Sequence, residues 1–287
     1  MKLFRMHWSD FSLKTPKSKR GLERIKVTHT LGCDPEFIFK RGELVVGGVG
    51  NLNSVVGRDG CRSVSEIRIK PSLNLLEFFY QVEFIMKKVV SYAQKRNFEV
   101  VAVPFVEAHN FSGSLGGHLH INMDLDEVNT NFVTTLTVEL LSHEWDLLVK
   151  RRTYHNYGML HDFRKKRIHD EIVTEVRFPS TFLYSPWMTV AYLASFTIDL
   201  AFGDELPVKH SIYGVFDEEW RSNLCKPKTN PNDVVSEIFK FVVKKSPRLA
   251  NIWLTSIAEL EPSRPQDVSN NWREGLSRKV KIKLEEL

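Results

Sequence analysis

Four short stretches of the chain, DPEF, SEIRIK, GHLHIN and TEVRF, hold ionisable residues two positions apart, with an apolar residue or proline between them. The pairs are Asp34/Glu36, Glu66/Arg68, His118/His120 and Glu175/Arg177. Each stretch reads as a strand, and side chains along a strand alternate between faces, so each pair points to one face. Taken singly, such a pair is what a solvent-facing strand carries. A solvated face, however, draws freely on Lys, Thr and Ser, and these pairs use Asp, Glu, His and Arg alone. If the four strands are neighbours, one face carries four carboxylates, two imidazoles and two guanidiniums. Carboxylates set side by side repel one another and lose hydration. A divalent cation between them removes the conflict, and Mg²⁺ prefers oxygen ligands. Arginine grips phosphate oxygens in a bidentate fork. The combination points to a nucleoside triphosphate held through Mg²⁺ on a sheet.

Neighbouring segments fit that chemistry, although each also has a plain reading. In VGRDGCRSVSEIRIKP, Asp59 precedes Glu66 by seven residues, a spacing that lets a turn return an acid toward the strand; Asp59-Gly60 is equally an ordinary turn. The run SLGGHLH sets glycines just before the histidines, either for close approach of a ligand or simply for a turn. HDFRKKRIH supplies cations, Arg164 among them, and reads as a mobile loop between sheet elements. No GxxxxGK[ST] loop occurs: SGSLGGH lacks the lysine, so a P-loop enzyme is not expected.

The elements that must position these residues are mixed. ERIKVTHTL, EFIFK, ELVVGG and SEIRIK read as strands, with Gly42 turning EFIFK into ELVV as a hairpin. LNLLEFFYQVEFIMKKVVSYAQK has apolar residues at helical spacing, and its aromatic and Met positions belong to a core. EVVAVPF and HLHINM read as strands around the SGSLGG loop, and a second long helix is expected across 128–150. EIVTEVRFP is a strand ended by proline, and Ser185-Pro186 opens another helix. KPKTNPND is the most linker-like loop, and short helices are expected around 232–245, 248–260 and 268–286. The whole reads as α+β with a largely antiparallel sheet. A basic arm covers 1–24, a core 25–206 and a mostly helical region 207–287, packed on that core.

Composition sets outer bounds. The chain's 287 residues carry a net charge of +5, mild enough to serve nucleic acid, nucleotide phosphates or solubility alike. Cys33, Cys61 and Cys225 are too few for a disulfide framework and match no zinc spacing, so they read as inert packing residues in a reducing compartment. The first twenty residues hold no continuous apolar run, so neither a signal peptide nor a membrane span is expected there, and the cytosol is the default. His143, His155, His161, His169 and His210 read as surface or packing residues, with His161 in HDFR the one nearest the pattern.

GCDPEF, DG…SEIR, GGHLHI and YG…HDFR with EVRFPS resemble, in order and spacing over about 28–200, the phage-type carboxylate–amine ligases (amidoligases, type 2). These belong to the glutamine synthetase and glutamate–cysteine ligase superfamily. The resemblance implies a curved, largely antiparallel sheet lining the active site and backed by long helices, as in the glutamine synthetase catalytic domain. It also implies ATP with two or three Mg²⁺ ions, and amide formation through an acyl phosphate. Carried over residue by residue, the metal ligands would be Asp34, Glu36, Asp59, Glu66, His118 and Glu175. Glu66 and Asp59 would complete the site of Glu36, while His118 and Glu175 would complete that of Asp34. Arg68, His120, Arg164 and Arg177 would face the nucleotide, and Arg177, Arg164 and Glu36 form the expected catalytic set. Asp34 departs from the glutamate common in glutamine synthetases and is shorter, so its metal contact would run through water. The partners implied are small-molecule or peptide carboxylates and amines, in the cytoplasm of a host cell if the chain is phage-encoded.

Two other readings compete. A nucleic-acid-associated binding protein that keeps the fold without turnover would use the basic RRTYHNYGMLHDFRKKRIH segment. A transition-metal hydrolase would use His118 and His120, although the acids and arginines around them favour Mg²⁺-nucleotide.

Overall fold

A computed structural model of the chain describes residues 26–48, 55–60, 63–103, 105–123, 163–168, 170–177 and 267–270. Within them lie β1 (Lys26–Cys33), β2 (Glu36–Arg41), β3 (Leu44–Val45), β4 (Val56–Arg58), β5 (Ser65–Ile67) and β6 (Ser72–Asn74). The helix α1 (Leu75–Gln94) follows, then β7 (Glu99–Val101), β8 (Phe105–Ala108), β9 (Phe111–Ser114), β10 (Leu119–Ile121), β11 (Phe163–Ile168) and β12 (Glu171–Val176). The strand pairings are antiparallel.

One sheet runs β11-β12-β10-β1-β6, and another runs β3-β2-β5-β4 with β7 also on β2. The two meet where β1 passes into β2 through Asp34-Pro35. There the amides of Asp34 and Glu36 donate to the carbonyls of His118 and Gly116, while Ile67 and Ile69 donate to the carbonyls of Pro35 and Cys33. The backbone of residues 33–36 is thereby held on both edges. Proline has no N–H to give a ladder, and Pro35 sits where its carbonyl alone is needed.

The faces of β2 divide as alternation predicts. Phe37 and Phe39 are fully buried and meet edge to face at 5.3 Å, and Phe39 lies 5.6 Å from Tyr92 of α1. Each such burial contributes about 2–3 kcal/mol. On the other face Ile38 joins Val45, Val64, Val101, Val103, Val106 and Leu115 in an apolar cluster, next to Glu36. The strand is therefore anchored from both sides, which lets it hold a carboxylate rigidly between them.

Helix α1 presents Val82, Ile85, Met86, Val89 and Ala93 inward at the expected spacing. Gln81, also buried, exchanges two hydrogen bonds with the Lys70 backbone and so ties the helix to the end of SEIRIKP. Asn97, at φ 54, ends the helical segment in the left-handed region, and the Phe98 amide returns to the Ala93 carbonyl. Gly42, at φ 58, turns β2 into β3 as expected.

Among the described residues α1 is the one helix, and the other helices expected to back the sheet fall outside them. Other expectations are corrected. EVVAVPF is two strands, β7 and β8, and the first part of the SGSLGG loop is strand β9. FRKKRI is the strand β11, paired with β12 along its whole length, and not a mobile loop. Of the helix expected around 268–286 only the first residues are described: Val268 donates to the Val100 carbonyl and Asp267 bridges Val101, so residues 267–269 sit on the β7 edge, and 271–286 lie outside the described residues. The basic arm, the helix across 128–150, the helix at Ser185-Pro186 and the helices around 232–245 and 248–260 lie outside the described residues. So do KPKTNPND, Cys61, Cys225, His143, His155, His161, His169 and His210.

Candidate functional site

The antiparallel register turns the sequence pairs into cross-strand rows. Glu36 of β2 stands opposite Glu66 of β5, and Glu66 stands opposite Gly57 of β4. His120 of β10 faces Gly32 on one side and Glu175 of β12 on the other, and Glu175 faces Arg164 of β11. All of these strands contribute to, or border, one cavity of about 650 Å³. Its lining includes Asp34, Glu36, Asp59, Glu66, His118, Arg164 and Arg177 from the expected set.

One end of the cavity is acidic. The carboxylate oxygens of Glu36, Asp59 and Glu66 lie within 4.8 Å of one another. Glu36 is buried, and its Oε2 accepts from the Gly116 amide at 2.5 Å. Burial, with help from Asp59 and Asp34, pushes its carboxyl up to about 7 against the opposing pull of His118 and the Gly116 amide. Burial and the Asp34 charge likewise raise Glu66. Burial raises Glu36 and Glu66 even though His118 pulls on the first and Arg68 on the second. Three hard oxygen donors gathered this closely fit a hard divalent cation such as Mg²⁺.

Asp34 is differently placed. Its Oδ1 accepts from the His118 amide and from His118 Nδ1, both at 3.0 Å, and its Oδ2 lies 3.3 Å from His120 Nε2. Burial alone would raise its pKa. The His118 charge and the hydrogen bonds of both histidines outweigh that and hold Asp34 far below the ordinary carboxylate range. Burial in turn lowers His118, but Asp34, Glu36 and Glu175 raise it further.

The other end is basic. Arg164 Nη2 donates to both oxygens of Glu175, at 2.7 and 2.9 Å, and Lys166 Nζ pairs with the same carboxylate. Arg177 Nε lies 3.5 Å away and His120 Nε2 3.6 Å. Burial would raise Glu175, but Lys166 and Arg164 lower it. One buried carboxylate thus gathers three cationic side chains at the wall of the cavity. Of the residues expected to share a metal, Asp34 and His118 pair with each other, and Glu175 pairs with these cations.

Arg68 does not line the cavity. Its Nε donates to Glu66 Oε1 at 2.6 Å and its Nη2 to the Arg58 carbonyl at 3.2 Å. Its guanidinium fills the space over Gly57, where a Cβ would come within 2.3 Å of Arg68 Cζ. His120 and Glu175 also stand behind the lining and act on it through Asp34, Arg164 and Lys166. Cys33 is a buried thiol raised well above its ordinary value by burial and by Asp34, as inert packing requires.

Two parts of the site escaped the sequence reading. Lys166 stands two residues from Arg164 on β11, so the same i, i+2 rule would have found it once FRKKRI was read as a strand. The wall formed by Phe111, Ser112, Gly113 and Ser114 of β9 carries no such signal. Its position comes from Asn110, whose side chain exchanges two hydrogen bonds with the Val45 backbone and pins the β8–β9 turn to β3.

The profile of the phage phiEco32-like COOH.NH2 ligase-type 2 family matches residues 31–201, more than half of the chain. No curated protein matches it. Among solved structures, a bifunctional glutathione synthetase from Pasteurella multocida aligns with a TM-score of 0.49 and 10% identity, over 92% of this chain and 52% of that one. A glutamine synthase homolog aligns at 0.39 and 13%, over 72% and 66%, and ligand-free GmaS at 0.37 and 12%, over 73% and 66%. The chain therefore spans between half and two thirds of these structures, and likeness at this level carries no inference about its chemistry.

Proposed function

The chain belongs to the phage phiEco32-like COOH.NH2 ligase-type 2 family, and on that premise we propose that it joins a carboxylate to an amine with ATP as the driving reactant. The observation that supports this best is the polarity of the cavity. An acidic group of Glu36, Asp59 and Glu66 and a basic group of Arg164, Lys166 and Arg177 line one cavity. A triphosphate bridged by a metal needs both at once.

Glu36, Asp59 and Glu66 would hold one Mg²⁺. A second, on Asp34, His118 and Glu175, would require Glu175 to leave Arg164 and Lys166. ATP supplies the phosphoryl group and Mg²⁺ offsets its charge. Arg164, Lys166 and Arg177 then bind the anionic groups, the phosphates and the substrate carboxylate. His120, beside Asp34 and Glu175, would donate a hydrogen bond to a phosphate oxygen that enters. In the first step a carboxylate oxygen bonds to the γ-phosphorus and ADP leaves. In the second the amine bonds to the acyl carbon, phosphate leaves, and the amine gives up a proton. Arg68 supports Glu66 from behind and need not touch the nucleotide.

Titrating Mg-ATP into the protein by calorimetry, beside ATP with EDTA and a Glu66→Gln variant, tests this without knowledge of the substrate. Metal-dependent binding lost in the variant is the expected result. ATP binding that ignores both EDTA and the variant would remove the acidic end from the mechanism.

A further inference from the structure

The hairpin β8–β9 forms a two-stranded sheet of its own beside the cavity, and β8 takes one edge of β9. Its register pairs Ala108 with Phe111, Glu107 with Ser112, Val106 with Gly113 and Phe105 with Ser114. The turn between the strands is two residues, His109 and Asn110, so Ala108 and Phe111 are the first pair to exchange backbone hydrogen bonds. Antiparallel pairs alternate, which makes Val106 and Gly113 the next. The N–H and C=O groups of Ser112 and Ser114 are then turned to the opposite edge of β9. Among the described residues no strand pairs with that edge.

Strand β9 lines the cavity with residues of both parities, Phe111 and Gly113 as well as Ser112 and Ser114. Side chains along a strand alternate between faces, so a strand that contributes both sets is one that turns its edge to the cavity. Ser112, Gly113 and Ser114 are small, and the Phe111 ring lies over Gly113, where a Cβ would come within 2.7 Å of it. The Ser114 hydroxyl is buried with no hydrogen-bond partner among the described residues. The hairpin does not drift, because Asn110 fixes its turn to β3 and Val106 and Leu115 root it in the apolar cluster.

We propose that the carboxylate substrate of this site is an extended peptide, which adds as a third strand to the free edge of β9 and delivers its carboxylate to Arg164, Lys166 and Arg177. Strand addition gives affinity through main-chain hydrogen bonds, so it suits a peptide and does not suit a free amino acid, which has no chain to pair. The cations in the same cavity supply the complement for the peptide's negative end. This rests on the ligase reading above and narrows it.

The test uses the full chain with Mg-ATP, a pool of N-acetylated hexapeptides with free carboxyl ends, and hydroxylamine as the amine. Hydroxylamine displaces phosphate from an acyl phosphate and leaves a hydroxamate, which mass spectrometry locates on the peptide. Hydrogen exchange of the Ser112 and Ser114 amides is followed in parallel, together with variants Ser112→Pro and Ser112→Ala. Proline removes the outward N–H of residue 112 and no ladder bond to β8, a substitution an edge position accepts; alanine keeps that N–H. Thermal unfolding of both variants checks that the hairpin persists. The expected result is fast amide exchange in the free protein, slowed by the peptides, with hydroxamate at the peptide ends. Ser112→Pro should then use peptides on the order of tenfold less well than Ser112→Ala. Slow exchange before any peptide is added would mean the chain already covers this edge, and the proposal falls. Hydroxamate formed from free amino acids but not from peptides, or equal peptide use by the two variants, also overturns it while leaving the ligase reading intact. No Mg-ATP binding, and no hydroxamate from any carboxylate, would overturn both.

Discussion

Glu36 and Glu66 stand directly opposite each other in the β2–β5 ladder, and both carboxyls are raised by burial. Like charges in that position oppose folding unless something lies between them.

The pair should therefore separate stability from ligand binding. Glu66→Gln removes one of the two charges but also the ion pair with Arg68, so the two effects offset and the metal-free protein should change by less than about 1 kcal/mol. The same change should remove the rise in Tm that Mg²⁺ gives the wild type. Thermal unfolding with EDTA and with Mg²⁺ measures both effects. A variant that is less stable without metal, yet still responds to Mg²⁺, would mean that these carboxylates do not share an ion.

The Glu36 carboxyl, pushed up to about 7 from an ordinary 4.5, also predicts a pH dependence. A carboxyl whose folded pKa is raised keeps its full contribution below the unfolded value and loses it as pH rises through the folded one. The metal-free protein should thus lose stability between pH 4.5 and about 7, by at most about 3 kcal/mol from this group. His118, also raised, loses its contribution in the same direction at higher pH. Denaturant unfolding in EDTA at several pH values, for wild type and Glu36→Gln, separates the two. An identical slope in the variant would exclude Glu36 as its source.

Glu175 holds Arg164 and Lys166 together on the cavity wall. Glu175→Gln leaves those cations without their shared charge, at a cost of roughly 2 kcal/mol, because both remain partly exposed and water relieves them. Its pKa is depressed, so the contribution it makes is present at neutral pH and lost as pH falls through its folded value. Acid unfolding should begin at higher pH in Arg164→Met than in the wild type; an unchanged acid transition would show the pair to be idle.

Asp267 Oδ1 accepts from the Val100 amide, the Ser269 amide and the Ser269 hydroxyl, and so fastens residues 267–269 to the β7 edge. Asp267→Ala should cost about 1–2 kcal/mol and speed exchange of the Val100 and Val101 amides. Exchange unchanged at β7 would mean that Val268 alone holds the contact.

Much of the site was legible before any fold was known, and for a physical reason. A strand allows only two directions for a side chain, so DPEF, GHLHIN and TEVRF specify which residues share a face regardless of which strands are neighbours. The helix α1 was legible because its apolar spacing repeats over many turns. FRKKRI misled because cations dominate it; charge density resembles a solvated loop, while its strand character depends on pairing with EIVTEV.

What sequence alone determined is the chemical inventory: Asp34 and Glu36 on either side of Pro35, His118 with His120, Glu66 with Arg68, Glu175 with Arg177. What only the tertiary structure decided is which charge meets which. Register set Glu36 against Glu66 and left both raised, and it set Glu175 against Arg164 and Lys166, which lowered it. It turned Arg68 onto Glu66 and Gly57 and away from the cavity, and it placed the edge of β9 along the cavity wall. Electrostatic interaction depends on separation and burial, and neither is a property of sequence order.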